Sequence, residues 1–156
     1  MTTTLRLPRW LPLANRVVRV LNRLGLRLGT VHVLTVPGRR TGRPRSTPVS
    51  PLTLDGHRYL VAGVPDGDWA RNVRAAGRGE LSSGRHSEPV TLTEINDAGQ
   101  RRAVMRAFPA EVPNGVPFFV RLGLVTSGDP DEFEAAAARV AIFEIITFPT
   151  ESELDH

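Results

Sequence analysis

Two hydrophobic periods divide the chain, and the change between them falls near residue 30. In residues 10–28, WLPLANRVVRVLNRLGLRL, Arg16, Arg19, Arg23 and Arg27 recur on one stripe at helical spacing. Val17, Val20, Leu21, Leu24 and Leu28 share the opposite arc. This predicts an amphipathic helix, and its four charges exclude a membrane crossing. Its apolar arc has two places to go: onto the protein core, or onto an anionic membrane surface with Trp10 as interfacial anchor.

From Val31 the period becomes that of strands. VHVLTV predicts a short strand, and STPVSPLTL continues extended, with Pro48 and Pro51 assigning it to a sheet edge or a bulge. Asp55-Gly56 is a hairpin signal, followed by a strand over HRYLVAG. A helix is predicted to start at Asp68 as N-cap, to carry Trp69, Asn72, Val73 and Ala76 on one face, and to end at Gly77. ELSS and SEPVTLTEI form a second hairpin around Gly84. AGQRRAVMRAF reads as a helix, after which Pro109, Pro113 and Pro117 predict a loop before the apolar FFVRLGLV. Asp129, Pro130 and Glu132 then spell an N-cap, a first-turn proline and a capping box for a helix reaching about Arg139, and VAIFEIITF closes the chain as a last strand. Short connections favour antiparallel pairing. The expected fold is α+β, a barrel of about six strands with peripheral helices, divided into an N-terminal segment 1–30 and a barrel domain 31–156.

Composition narrows the chemistry. The chain of 156 residues has no cysteine, which removes disulfides, thiolate metal sites and cysteine nucleophiles. Every basic side chain is arginine, so no lysine Schiff base forms. Arginine is concentrated early: residues 1–58 hold eleven against the single acid Asp55. A nucleic-acid binder is disfavoured, because aromatic residues are only 6% and none is interleaved with the arginines. The histidines lack metal-ligand spacing, so no metal site is expected, and Ser82, Ser83, Ser87 and His86 make no triad by proximity alone. Glu144, inside an apolar strand, is expected to pair with an arginine.

One stretch stands out. In TVPGRRTGRPRSTPV, Arg39, Arg40, Arg43 and Arg45 occupy four of seven positions, between glycines and prolines. Converging guanidinium forks and backbone N–H groups suit a phosphate or carboxylate, and a solvated basic hairpin is the plainer alternative. LTVPGRRTGRPRSTPV, followed by DGHRYLVAG and then WARNVRAAGRG, resembles the deazaflavin (coenzyme F420)-dependent nitroreductase and quinone reductase family. The likeness covers roughly residues 31–95. It implies a split β-barrel of the flavin- and deazaflavin-binding type, with F420 as cofactor and FMN as the weaker alternative. It also implies that the basic turn, Gly38, Arg39, Arg40, Thr41 and Arg45, grips the anionic tail. The loop Ala62 to Asp68, with Ala62, Gly63 and Val64, would lie near the ring, Trp69 and Asn72 match the family's helix start, and Pro48 would also contact the cofactor.

By that resemblance the reaction is hydride transfer from reduced deazaflavin to an apolar acceptor such as a quinone, enone or nitro compound. No catalytic acid is singled out: Tyr59, the only tyrosine, sits on a predicted strand rather than near the C-terminus. Phe118, Phe119, Leu122 and Leu124 are candidates for an apolar wall. The alternative is a split barrel that binds a fatty acid or other apolar ligand without turnover. The expected setting is the cytoplasm or the inner face of the cell membrane, reached through residues 10–28.

Overall fold

A computed structural model describes residues 32–147. The arginine stripe of residues 10–28 lies outside the described residues. Seven antiparallel strands form one sheet: β1 (His32–Pro37), β2 (Pro44–Val49), β3 (Leu52–Leu54), β4 (His57–Ala62), β5 (Arg78–Ser83), β6 (His86–Glu94) and β7 (Ala141–Thr147). Their spatial order is β2-β1-β5-β6-β7-β4-β3. Among the described residues the α-helices are α1 (Asp68–Ala76), α2 (Ala98–Glu111), α3 (Val116–Arg121) and α4 (Pro130–Ala135).

The order has a geometric consequence. β2 and β3 are the two edges of the sheet, yet only Ser50 and Pro51 separate them in the chain. Laid flat at about 4.8 Å per strand the edges would stand about 29 Å apart, whereas three Cα steps reach only about 11 Å. The sheet must therefore curl until its edges meet. The stretch read as one continuous strand is thus two, at opposite edges, broken at Ser50-Pro51. Pro48 keeps the edge position expected of it, because an edge proline forfeits no ladder bond.

Alternation along the strands sorts the core into two clusters. On β4, Leu60 and Ala62 point into the barrel with Leu34, Leu81, Val90 and Phe143, while Tyr59 and Val61 face the helices. On β7, Phe143 and Ile145 point inward, while Ile142 joins Val104, Met105, Phe108, Phe119 and Phe133 outside. Burial on both faces explains why VAIFEIITF is almost continuously apolar. The outer cluster is aromatic: Phe108 stacks on Phe133 at 5.4 Å and meets Phe119 edge-on at 4.8 Å.

Local signals hold where backbone geometry dictates them. Asp55 and Gly56 both take positive φ, 52° and 80°, in the two-residue turn between β3 and β4. Gly77 caps α1 in the left-handed conformation. Asp129 caps α4, its carboxylate accepting from the Asp131 N–H at 2.9 Å.

Five local expectations are corrected. Asp68 is the first residue of α1, not its cap; the cap is Gly67, which offers no side-chain acceptor. Pro109 lies inside α2, since Val104, Met105 and Phe108 bury one continuous face and the Val112 N–H resumes the ladder to Phe108 at 2.7 Å. Pro113 and Pro117 start a 3-10 turn and α3 rather than a loop, and FFVR is helical. Glu132 closes no capping box: the Asp129 N–H is taken by Ser127 Oγ at 3.2 Å. Its carboxylate instead accepts from the N–H and hydroxyl groups of Thr126 and Ser127. Glu144 pairs with His57 at 2.8 Å, not with an arginine, because the β4–β7 register brings these two to one face.

Two outcomes test this packing. A Cβ at Gly79 would stand 2.7 Å from the Thr35 carbonyl oxygen, where β5 passes β1. Gly79→Ala should therefore destabilise by about 1–3 kcal/mol in urea melts, and a neutral result would mean that the strands separate easily. The Glu132 carboxyl is held below its ordinary value, first by the Thr126 hydroxyl and then by the Thr126 N–H. A depressed folded value makes this anchor complete above the ordinary carboxylate range and loses it as pH falls through the folded value. Protection of the Thr126 and Ser127 amides should fall on acidification, and Glu132→Gln should abolish that dependence.

Candidate functional site

The arginine turn is built by a tight backbone loop at the end of β1. The Gly38 N–H donates to the Arg43 carbonyl at 2.8 Å and the Gly42 N–H to the Gly38 carbonyl at 2.8 Å. The turn is also tied to α1. Asn72, 5% exposed, accepts at Oδ1 from the Arg39 backbone N–H at 3.1 Å and from its guanidinium at 2.9 Å. The same guanidinium reaches the Asp68 carboxylate at 3.2 Å. Arg39 is thus bonded within the chain and holds the turn against the helix. No hydrogen bond or ion pair among the described residues occupies the side chains of Arg40, Arg43 or Arg45, all exposed.

Two cavities meet here. The first, about 310 Å³, is polar, and is lined by Gly38, Arg39, Arg40, Thr41 and Arg45 on the turn, by Ser46 and Thr47 on β2, and by Asp68, Trp69 and Asn72 on α1. The second, about 570 Å³, lies within the roughly 300–1,000 Å³ usual for small-molecule sites. It is walled by Pro48, Val49, Leu60, Val61, Gly63 and Val64 on the barrel side, and by Phe108, Val112, Phe118 and Phe119 on the helical side. Thr47 and Trp69 line both. The half-buried Trp69 ring stands 6.0 Å from Phe143, which fixes it at this junction.

The structure therefore gathers ten of the eleven residues singled out in the sequence around two adjoining spaces. Ala62 is the exception: it is 1% exposed, paired with Ala141 in the barrel core, and lines neither cavity. Phe118 and Phe119 form part of the apolar wall, and Leu122 packs over Gly63, its Cδ1 2.7 Å from where a Cβ would sit. Leu124 belongs to the outer core instead. Ser46 and Thr47 were not anticipated, although they directly follow Arg45 on the strand. Phe108, Val112, Asn114 and Gly115 carried no local signal, since they reach the cavity only by the docking of α2 and the turn after it. Tyr59 is buried, its hydroxyl accepting from Gln100 at 3.3 Å, away from both cavities.

The curled, near-closed antiparallel sheet is a split β-barrel. Solved structures of similar fold include an F420-H2-dependent reductase, FDR-A, at 20% identity, covering 75% of this chain and 94% of that one with a TM-score of 0.53. Another, a domain-swapped dimer, is 19% identical and covers 85% and 96% of the two chains, with a TM-score of 0.53. A candidate pyridoxamine 5′-phosphate oxidase from Listeria innocua is 10% identical, covers 88% and 94%, and has a TM-score of 0.50. No curated protein matches the chain. The family model of F420H(2)-dependent quinone reductases matches residues 13–115, and the chain belongs to that family. Coenzyme F420 is accordingly its cofactor.

The residues present fit such a group. Two unengaged guanidinium groups, on Arg40 and Arg45, face a polar cleft suited to an anionic tail. A Cβ at Gly38 would lie 3.1 Å from the Arg43 carbonyl and 3.4 Å from Arg45 Cγ, so the turn is as tight as its backbone permits. Trp69 and the uncapped first turn of α1 offer an aromatic face and free N–H groups beside an apolar space.

Asn72→Ala removes the acceptor of both Arg39 bonds. It should cost about 1–3 kcal/mol of stability and weaken F420 binding, read by thermal melts and fluorescence titration. If both stayed at wild-type values, the turn would hold its shape without α1.

Proposed function

We propose that this protein is an F420H2-dependent reductase whose acceptor is an apolar, conjugated carbonyl compound of the quinone class. The observation that carries this reading is the meeting of a basic cleft and an apolar cavity at Thr47 and Trp69. Arg40 and Arg45 hold the anionic tail, and Arg39, braced by Asn72 and Asp68, keeps the turn in register with α1. Trp69 bounds the planar ring, and the cavity toward Phe118 takes the acceptor. When bound, reduced F420 supplies a hydride.

The protein's own contribution is placement and exclusion of water. Among the described residues, no Asp, Glu, His, Arg or Tyr lines the apolar cavity, which leaves water at the mouth as the proposed source of the proton that accompanies reduction. That agrees with a reaction in which positioning and a low-dielectric site carry the rate, rather than a dedicated acid.

A second reading concerns access. Val64, Phe118, Val120 and Leu122 expose 46%, 49%, 39% and 37% of their surfaces. Val64 and Phe118 line the cavity itself, while Leu122 packs beside it on Gly63. An apolar rim of this kind, with the arginine-striped residues 10–28, would let the mouth face an anionic membrane in which an apolar quinone dissolves. No helix among the described residues is long and apolar enough to cross a membrane. Co-sedimentation with anionic vesicles tests this reading directly, and equal recovery with and without vesicles would sink it.

For the central proposal, Arg40→Ala with Arg45→Ala should weaken F420 binding by about 1.5–3 kcal/mol per lost charged contact and flatten its salt dependence. Arg43→Ala, outside the cleft, should change little. Steady-state oxidation of F420H2 by menadione should be saturable in the wild type. Tight binding of a fatty acid, with neither F420 binding nor turnover, would favour the non-catalytic apolar-ligand carrier instead.

A further inference from the structure

Among the described residues that line the apolar cavity, four carry polar side-chain atoms: Thr47, Ser50, Trp69 and Asn114. Thr47 and Trp69 also line the basic cleft and lie on its side. Ser50 and Asn114 belong to the apolar cavity alone, and they stand on separate elements. Ser50 is in the two-residue link that closes the barrel, and Asn114 is in the 3-10 turn Pro113–Gly115 between α2 and α3.

The core dictates where that turn runs. The Gly115 N–H donates to the Val112 carbonyl at 3.0 Å, immediately after Val112 has closed the ladder of α2. A Cβ at Gly115 would lie 2.8 Å from Phe108 Cζ, on a ring already confined by Phe119 and Phe133. Only glycine lets the turn press this closely on the aromatic cluster, and Asn114 is thereby held at the cavity wall beside Val112 and Phe118. No hydrogen bond among the described residues engages the side chain of Asn114 or of Ser50. Asn114 is exposed at the cavity wall, so its amide donors are open to solvent and to a ligand entering an otherwise apolar space, where a carbonyl acceptor would replace water.

We propose that Asn114 determines acceptor specificity by donating a side-chain N–H to a carbonyl oxygen of the quinone, with the Ser50 hydroxyl available to the second oxygen. The assignment rests on the cavity being the acceptor site. A neutral amide suits this role: it donates to the carbonyl, and donates more strongly as that oxygen gains negative charge during reduction. An apolar ligand without a carbonyl gains nothing from it, which separates quinones from hydrocarbons of equal size.

Calorimetric titration of the protein, loaded with oxidised F420, with menadione reads the contact without requiring turnover. Asn114→Ala should weaken menadione binding about 2- to 12-fold, as expected for one neutral hydrogen bond. Asn114→Asp, which presents only acceptors to the carbonyl, should weaken it further, and kcat/KM for menadione should fall at least as far as affinity. F420 affinity and melting temperature should stay at wild-type values in both variants, which a merely structural role for the turn would not predict. Wild-type affinity for menadione in both variants would overturn the assignment, as would a wild-type protein that fails to bind menadione at all. A wild type that binds menadione without reducing it would refute the reductase reading, and weaker binding by the Asn114 variants would still support the assignment.

Discussion

Two residues, Ser50 and Pro51, join strands that lie at opposite edges of a seven-stranded sheet, and the rest of the molecule follows from that constraint. The link is too short to span an open sheet, so the sheet closes on itself. Closure gives the strands an inside and an outside. Leu60 and Phe143 fill the inside, while Tyr59 and Ile142 need a second cover, which α2 and α4 supply. The same closure brings Thr47, Pro48, Val49 and Ser50 beside Leu60 and Val61, and these residues form the barrel side of the apolar cavity.

The basic cleft depends on a different coupling. Four arginines on one turn repel one another, and in water their guanidinium groups would spread. Arg39 is spent on the protein: Asn72 and Asp68 bind it, which anchors the turn to α1 and neutralises part of its charge. The arginines that line the cleft beside it, Arg40 and Arg45, remain unengaged among the described residues. A Gly-Arg turn and a distant Trp-x-x-Asn are therefore one unit: Asn72 fastens the turn, and Trp69, three residues earlier, stands where polar and apolar spaces join.

Much of this was legible in the chain. Short β-branched and alternating runs located β1, β4, β5 and β6, a nearly continuous apolar run located β7, and Asp55-Gly56 and Gly84 marked hairpin turns because positive φ restricts residue choice. Density of charge marked the arginine turn. Local errors arose where a residue had more than one available partner. Glu132 found Thr126 and Ser127 instead of the helix end, and Glu144 found His57 across the β4–β7 pair.

The sequence by itself determined most of the strands and turns, and where positive charge concentrates. These are properties of neighbours along the chain. Tertiary structure alone decided that STPVSPLTL splits between two sheet edges, that Pro109 stays within a helix, and that Arg39 braces the turn. It also decided that Phe108, Val112 and Asn114 share a cavity with Val49 and Leu60. Each of these depends on contacts between segments tens of residues apart, whose energies outweigh local preference and leave no periodic trace in the chain.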